Sequence, residues 1–383
     1  MKKRNHKFLL FCILFWVSFL LFKGEVKAEE KQEDYFMKQM EEYDIGQIEG
    51  EIEKLFPDWQ IDIERTFLLI GQGKIVEAVK GVLGEIVGSI KGEFAGLKEL
   101  MVSILVIGIF SAIFSNFADV FAGQQISQVG FYFLYLFLMA ILTKAFTSAC
   151  QIATGTMENI VLFVKIFIPT YFTAVGTAIG SGTAVFYYQV MLVIAYLVES
   201  FLLNGLLPII YSYVILALLN GIWAEERLML LLDFIKKGII FALKMTMGII
   251  TGFSLVQAVI LPAIDGLKLS VLQKTMSSIP GLGNMAEGVA ELVIGSAVLI
   301  KNSLGVLLLI LLLVFCLLPL IKIFAVAGIV KLGAALTGIV SDKRISGCAD
   351  TVGEGCFLLL RCVFTTVLLF GIVIAVTSYA IGG

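Results

Sequence analysis

Between Ser277 and Gly305 the chain reads SSIPGLGNMAEGVAELVIGSAVLIKNSLG, setting two glutamates, a lysine and two asparagines just ahead of one of its most apolar runs. Turning about 100° per residue from Glu287, a helix brings Asn284, Glu291, Gly295, Lys301 and Asn302 within about 80° of it. Met285, Val289, Leu292, Val293, Leu299 and Ile300 take the opposite side. Glu287 and Glu291, at i, i+4, repel one another unless water or a cation offsets them. A helix with such a stripe does not face lipid all round. Three placements remain: along the outer interface, re-entrant against a wet cavity, or packed through its glycines on another helix or subunit. Ile279, Pro280, Gly281 and Gly283 supply the break before it, because proline cannot continue a helix and glycine permits the turn. These six polar and small residues are the candidate conduit or interface stripe.

Five further charges, Lys144, Lys165, Glu199, Lys244 and Arg361, fall in or near apolar runs. A charge at the centre of a membrane helix costs about 2.5–3.5 kcal/mol, so it marks a wet path or a buried pair unless it snorkels from a helix end. Snorkelling is the expectation for Lys144, Glu199 and Lys244. Lys165 and Arg361 sit slightly deeper and are the candidate intramembrane charges.

Other chemistries lack their residues. His6 is the only histidine and lies in the leader, so the mature chain has no imidazole for general-base work or metal ligation. Cys150, Cys316, Cys348, Cys356 and Cys362 form no C-x-x-C pair, and Cys316 and Cys362 fall within apolar runs, where cysteine acts as a small hydrophobe. The nearest approach to a phosphate-binding loop ends at Gly73-Lys74, with Leu68 in place of the first glycine and Ile75 in place of the magnesium-binding hydroxyl. The expectation is a protein that is not an enzyme, with no catalytic, cofactor or metal site. Any ATP-driven work belongs to a partner.

The elements that must position these residues are membrane helices. Hydrophobic residues make up 59% of the 383 and charged ones 15%, with a mean hydropathy of +0.98. Several windows offer about 20 mostly apolar residues, enough to cross a hydrocarbon core. The predicted fold class is all-α, polytopic, with about eight spans. These lie near residues 100 to 117, 130 to 149, 159 to 179, 185 to 203, 206 to 222, 239 to 261, 303 to 321 and 356 to 380. The run from Ile323 to Val340 is left open as a further span.

Three regions follow. Residues 1–28 read as a signal peptide, with a basic MKKRNHK, an apolar FLLFCILFWVSFLLF, and Val26 and Ala28 before the expected cut; an uncleaved signal anchor is the alternative. Residues 29–97 form an acidic helical segment expected outside the cytoplasm. It holds about half of the chain's 30 acidic residues. It is either a small solvated domain or a docking surface for partners. Residues 98–383 form the transmembrane domain, and with a net charge of -2 and an acidic N-terminal segment nucleic acid is not an expected partner. Lys322, Lys331, Lys343 and Arg344 favour a cytoplasmic side for the stretch that carries them. The segment WAEERLMLLLDFIKKG carries Glu225, Glu226, Asp233, Lys236 and Lys237 on one side and Leu228, Leu231, Phe234 and Ile235 on the other. It predicts an amphipathic helix along the inner membrane surface, with a charged loop as the alternative. Lys165 to Pro169 and Lys274 to Pro280, each followed by glycines, faintly suggest two halves of a transporter-like repeat.

Three stretches resemble the stage III sporulation protein AE family of endospore-forming bacteria: IPGLGNMAEGVAELVIGSAVLIKNSLG, LPLIKIFAVAGIVKLGAAL from Leu318, and ISGCADTVGEG from Ile345. The resemblance covers nearly the whole chain. It implies a multi-pass component, in the mother-cell membrane surrounding the forespore, of the transenvelope apparatus joining the two cells. The implied partners are other stage III sporulation membrane proteins, including an ATPase and ring-forming components, together with the lipid bilayer. It implies no catalytic residues. A secondary transporter with its own substrate site and a membrane scaffold without a pore are the competing functions.

Overall fold

The computed structural model describes residues 63–121, 123–179, 193–222, 228–276, 283–340 and 343–380. Side chains at 63, 64, 67, 71, 82, 83, 85–97, 114–128, 166–179, 253–276, 283–304, 340 and 376–380 are outside that description. So are the expected signal peptide and residues 29–62 of the acidic segment. The described residues are helical, with no strand among them: α1 (Ile63–Gly71), α2 (Ile75–Phe121), α3 (Gly123–Ile179), α4 (Val193–Asn220), α5 (Met229–Met276), α6 (Gly283–Val340) and α7 (Lys343–Ala380). Four stretches within them are long and apolar enough to cross a membrane: Val129–Lys165, Val193–Asn220, Gly305–Ile339 and Lys343–Ala375.

The near-miss phosphate loop is a helix terminus. Gly73 has φ 77°, Gly73 N–H donates to Ile70 O at 2.9 Å and Lys74 N–H to Leu69 O at 2.8 Å. This is the left-handed glycine cap that closes α1. Ile70 and Ala78, flanking it, join the same apolar core as the membrane helices, and α1 packs on α2 and α6. The start of the expected membrane domain at residue 98 lies within unbroken α2.

Two pairs of expected spans prove to be single helices. The windows 130–149 and 159–179 both lie on α3, a helix of 57 residues and so about 85 Å long. The polar SACQIATGTMEN separates the two windows, but Thr156 Oγ1 donates back to Ile152 O at 2.6 Å, and its one glycine, Gly155, is tolerated within a helix. The described part of the window 185–203, from Val193 onward, likewise meets the window 206–222 in α4. The break expected at LNGLLP is a π-turn, Leu202–Leu206, in which Leu207 N–H reaches Leu202 O, and Pro208 follows in the first turn of the next α-helical stretch. The π-turn absorbs the register change that proline demands without a loop. Residues 323–340 continue α6 past Pro319 rather than forming a separate span.

The segment expected along the membrane surface also changes character. Residues 223–227 lie outside the description, and from Met229 the chain is already α5, continuous with the window at 239–261. Leu230 and Phe234 point out of the bundle, 88% and 75% exposed, while Lys236 turns inward to α7.

At the centre is α7. It packs against α3, α4, α5 and α6, and 67% of its apolar window is buried, against 33% for that of α3. Small residues make this possible. A Cβ at Gly355 would collide with Val214 of α4 and approach Phe146 of α3 to 3.2 Å, and one at Gly353 would come within 2.7 Å of the Lys331 stem on α6.

Candidate functional site

The motif ISGCADTVGEG opens α7, and its Asp350 and Glu354 stand at i, i+4, a spacing at which like charges repel. The fold places two lysines against them. Lys331 Nζ of α6 lies 2.6 Å from Asp350 Oδ1 and 3.8 Å from Glu354 Oε1. From α5, Lys236 Nζ donates to Glu354 Oε2. The cluster thus joins α5, α6 and α7, and two of the stretches that carry the family resemblance meet in it. Its side chains keep 26–53% of their exposure, so it remains hydrated. On α5 a further pair, Asp233 and Lys237, closes at 2.6 Å on the outer surface.

The helix ends around the cluster are pinned by aromatic contacts. Tyr135 Oη of α3 donates to Leu218 O of α4 at 2.6 Å in a buried setting. Arg344, at the start of α7, stacks 3.7 Å from the Phe131 ring centroid. A Cβ at Gly221 would strike the Tyr135 hydroxyl.

The expected site residues are distributed differently. Asn284, Glu287, Glu291, Gly295, Lys301 and Asn302 all lie on the N-terminal part of α6, and their side chains are outside the description. The helix assignment runs unbroken from this stripe into the apolar run beginning at Gly305. Lys165 is exposed, with its ammonium 5.7 Å from the Tyr196 ring centroid. Arg361 is half-buried on α7, two helical turns beyond Glu354.

Glu199 departs most from expectation. Snorkelling would leave its carboxylate in water, yet the residue is 2% exposed and neither oxygen makes a hydrogen bond. The reason is the continuity of α4: an end at residue 203 would put Glu199 at a helix terminus, whereas Val193–Asn220 puts it inside. Thr366 and Cys362 of α7 are its polar neighbours.

The acid pair at 350 and 354 was visible as a spacing inside ISGCADTVGEG; its lysines, one of them 118 positions away, were not. Among the described residues no group of three or more His, Cys, Asp or Glu side chains is arranged to hold a metal ion.

The family model for stage III sporulation protein AE matches residues 61–380. The chain belongs to that family. Among its relatives is the stage III sporulation protein AE of Bacillus subtilis (strain 168), 23% identical over 273 residues that cover 71% of this chain and 68% of the relative. No solved structure matches. The stage III AE match takes in the whole ionic cluster, Glu199 and the α6 stripe.

Proposed function

We propose that this chain is a non-enzymatic membrane core of a multiprotein conduit between mother cell and forespore during sporulation, working with an ATPase and ring-forming membrane proteins. Family membership supplies the sporulation setting. The observation that carries the conduit reading is the burial of α7: the described helices close on it with apolar side chains, so a passage fits better between subunits than through the middle of one. The outward faces agree with lipid or protein neighbours. Val106, Phe110 and Ile113 on α2, and Phe133 and Phe137 on α3, are each between 43% and 65% exposed. The polar stripe of α6 is the surface proposed to line the passage or meet a partner.

A secondary transporter is the second reading, favoured by the buried, partnerless carboxyl of Glu199, since intramembrane carboxyls serve ion-coupled transport. Flux into vesicles separates the two. The conduit reading expects no solute flux from the purified chain alone under an ion gradient, with co-purification of the ATPase and ring-forming proteins from sporulating cells. Gradient-driven flux by the isolated chain would favour the transporter, and absence of both flux and partners would overturn the conduit.

A further inference from the structure

Glu199 sits in the interior of α4 against α7, 2% exposed, with both carboxylate oxygens lacking a hydrogen-bond partner. Its polar neighbour is Thr366, itself fully buried. The Thr366 hydroxyl donates its single proton to Cys362 O at 3.3 Å. What Thr366 Oγ1 has left to offer is lone pairs, and an ionised carboxylate offers nothing else. While Thr366 keeps its proton on Cys362 O, an ionised Glu199 has no donor, and the turns on either side of the two residues carry buried apolar side chains, Ala195 and Leu202 on α4 and Val363 and Phe370 on α7. One proton resolves the mismatch.

We propose that Glu199 is a proton-binding site. The carboxylate takes one proton from water, and the resulting O–H donates to Thr366 Oγ1. The chain Glu199 O–H to Thr366 O–H to Cys362 O then bridges α4 and α7 with each polar atom satisfied. The inference does not depend on the conduit reading, because it concerns the packing of two helices within one subunit.

Among the described residues no charged side chain is paired with the carboxyl. From α7 the titratable group facing Glu199 is the Cys362 thiol. On α4 the nearest feature one turn earlier is Tyr196, whose ring is covered by the exposed ammonium of Lys165 from α3. No cationic side chain of α3, α5 or α7 among the described residues pairs with the carboxyl. The π-turn at Leu202–Leu206 begins three residues on. Such turns are the least regular part of a helix and frequently accompany functional positions. Loss of the proton leaves a bare carboxylate facing Thr366 Oγ1, so α4 must shift at this turn or Thr366 must give up its bond to Cys362.

The test uses the full chain in lipid vesicles at neutral pH, with infrared difference spectra of wild type against Glu199→Gln and Thr366→Val. The expected result is a carbonyl stretch of a protonated carboxyl in wild type that disappears in Glu199→Gln and moves to higher frequency in Thr366→Val as its hydrogen bond is lost. Glu199→Gln keeps a donor toward Thr366 and should fold. If it does not, the shift in Thr366→Val still assigns the band. Dicyclohexylcarbodiimide, which adds to protonated carboxyls in apolar surroundings, is expected to modify Glu199, at a rate falling about tenfold per pH unit once the carboxyl ionises. Ionised carboxylate bands in place of the protonated stretch, or no modification of Glu199 at neutral pH, overturns the proposal.

Discussion

Lys331 on α6 and Asp350 on α7 hold one another at 2.6 Å across a tight helical hairpin whose two arms are joined only by residues 341–342. The same ammonium reaches Glu354 at 3.8 Å, one turn further along α7, and Glu354 in turn receives Lys236 from α5. An acid pair that would weaken an isolated helix thus becomes the point where three helices are fastened together. Glu354 is the member that both lysines share.

That asymmetry predicts unequal losses. Glu354→Gln is expected to cost about 1 kcal/mol, lowering the Tm in detergent by about 2–4 °C. Asp350→Asn, whose side chain is 53% exposed, should cost about half as much or less. In a double-mutant cycle Glu354 should couple to Lys236 and to Lys331, whereas Asp350 should couple to Lys331 alone. Equal losses from the two substitutions would contradict the shared role of Glu354.

Composition and spacing made part of this architecture readable. Apolar windows marked the membrane helices, and ISGCADTVGEG stood out as one of the stretches carrying the family resemblance. What the windows could not show was continuity. Thr156, bonding back to Ile152 O, keeps a polar stretch helical, and the π-turn before Pro208 carries α4 through a sequence that reads as a break. Glu199 then moves from a supposed helix end to a helix interior, which is why its burial was hidden. Lys236 was hidden for another reason: it stands on the polar side of a segment that looked like a surface helix, and only the pairing of α5 with α7 turns that side inward.

Three glycines of the motif separate packing from propensity. Gly355→Ala puts a methyl group into Val214 and against Phe146, and overpacking of that kind costs about 1–3 kcal/mol. Gly347 has open space where its Cβ would lie, so Gly347→Ala should stabilise the helix by about 0.5–1 kcal/mol. Gly353→Ala meets the flexible stem of Lys331, and its cost should shrink in a Lys331→Ala background. Thermal unfolding of the three single variants checks the order; a tolerated Gly355→Ala would show that α7 is not gripped by α3 and α4 at this point.

The unbroken course of α3 has a topological consequence. Two antiparallel spans over 130–149 and 159–179 would return the chain to the side from which it entered, whereas one helix delivers its ends to opposite sides. Single cysteines at Gln125 and Ser181, in a background with the native cysteines replaced, should therefore react with a membrane-impermeant maleimide from opposite faces of the membrane. The same reagent should distinguish cysteines at Ser277 and Ser341, which flank α6. Labelling of Gln125 and Ser181 positions from one face would restore two spans in place of α3.

The stripe on α6 is the part of the proposed function most open to a direct trial. Its six residues share one helix with the apolar run that follows, so replacing Glu287 and Glu291 together by leucine removes a like-charge i, i+4 pair without interrupting the helix. Insertion and abundance should hold, because the change removes two charges from a helix that continues into an apolar run. Sporulation should nevertheless fall if the carboxylates line a wet passage or meet a partner, and replacement by glutamine, which keeps hydrogen-bonding capacity at the same shape, should fall less. Counting heat-resistant spores beside a membrane immunoblot reads both quantities. Full sporulation at normal protein level in the double leucine variant would show that nothing depends on the stripe, and the conduit surface would have to be sought elsewhere on the bundle.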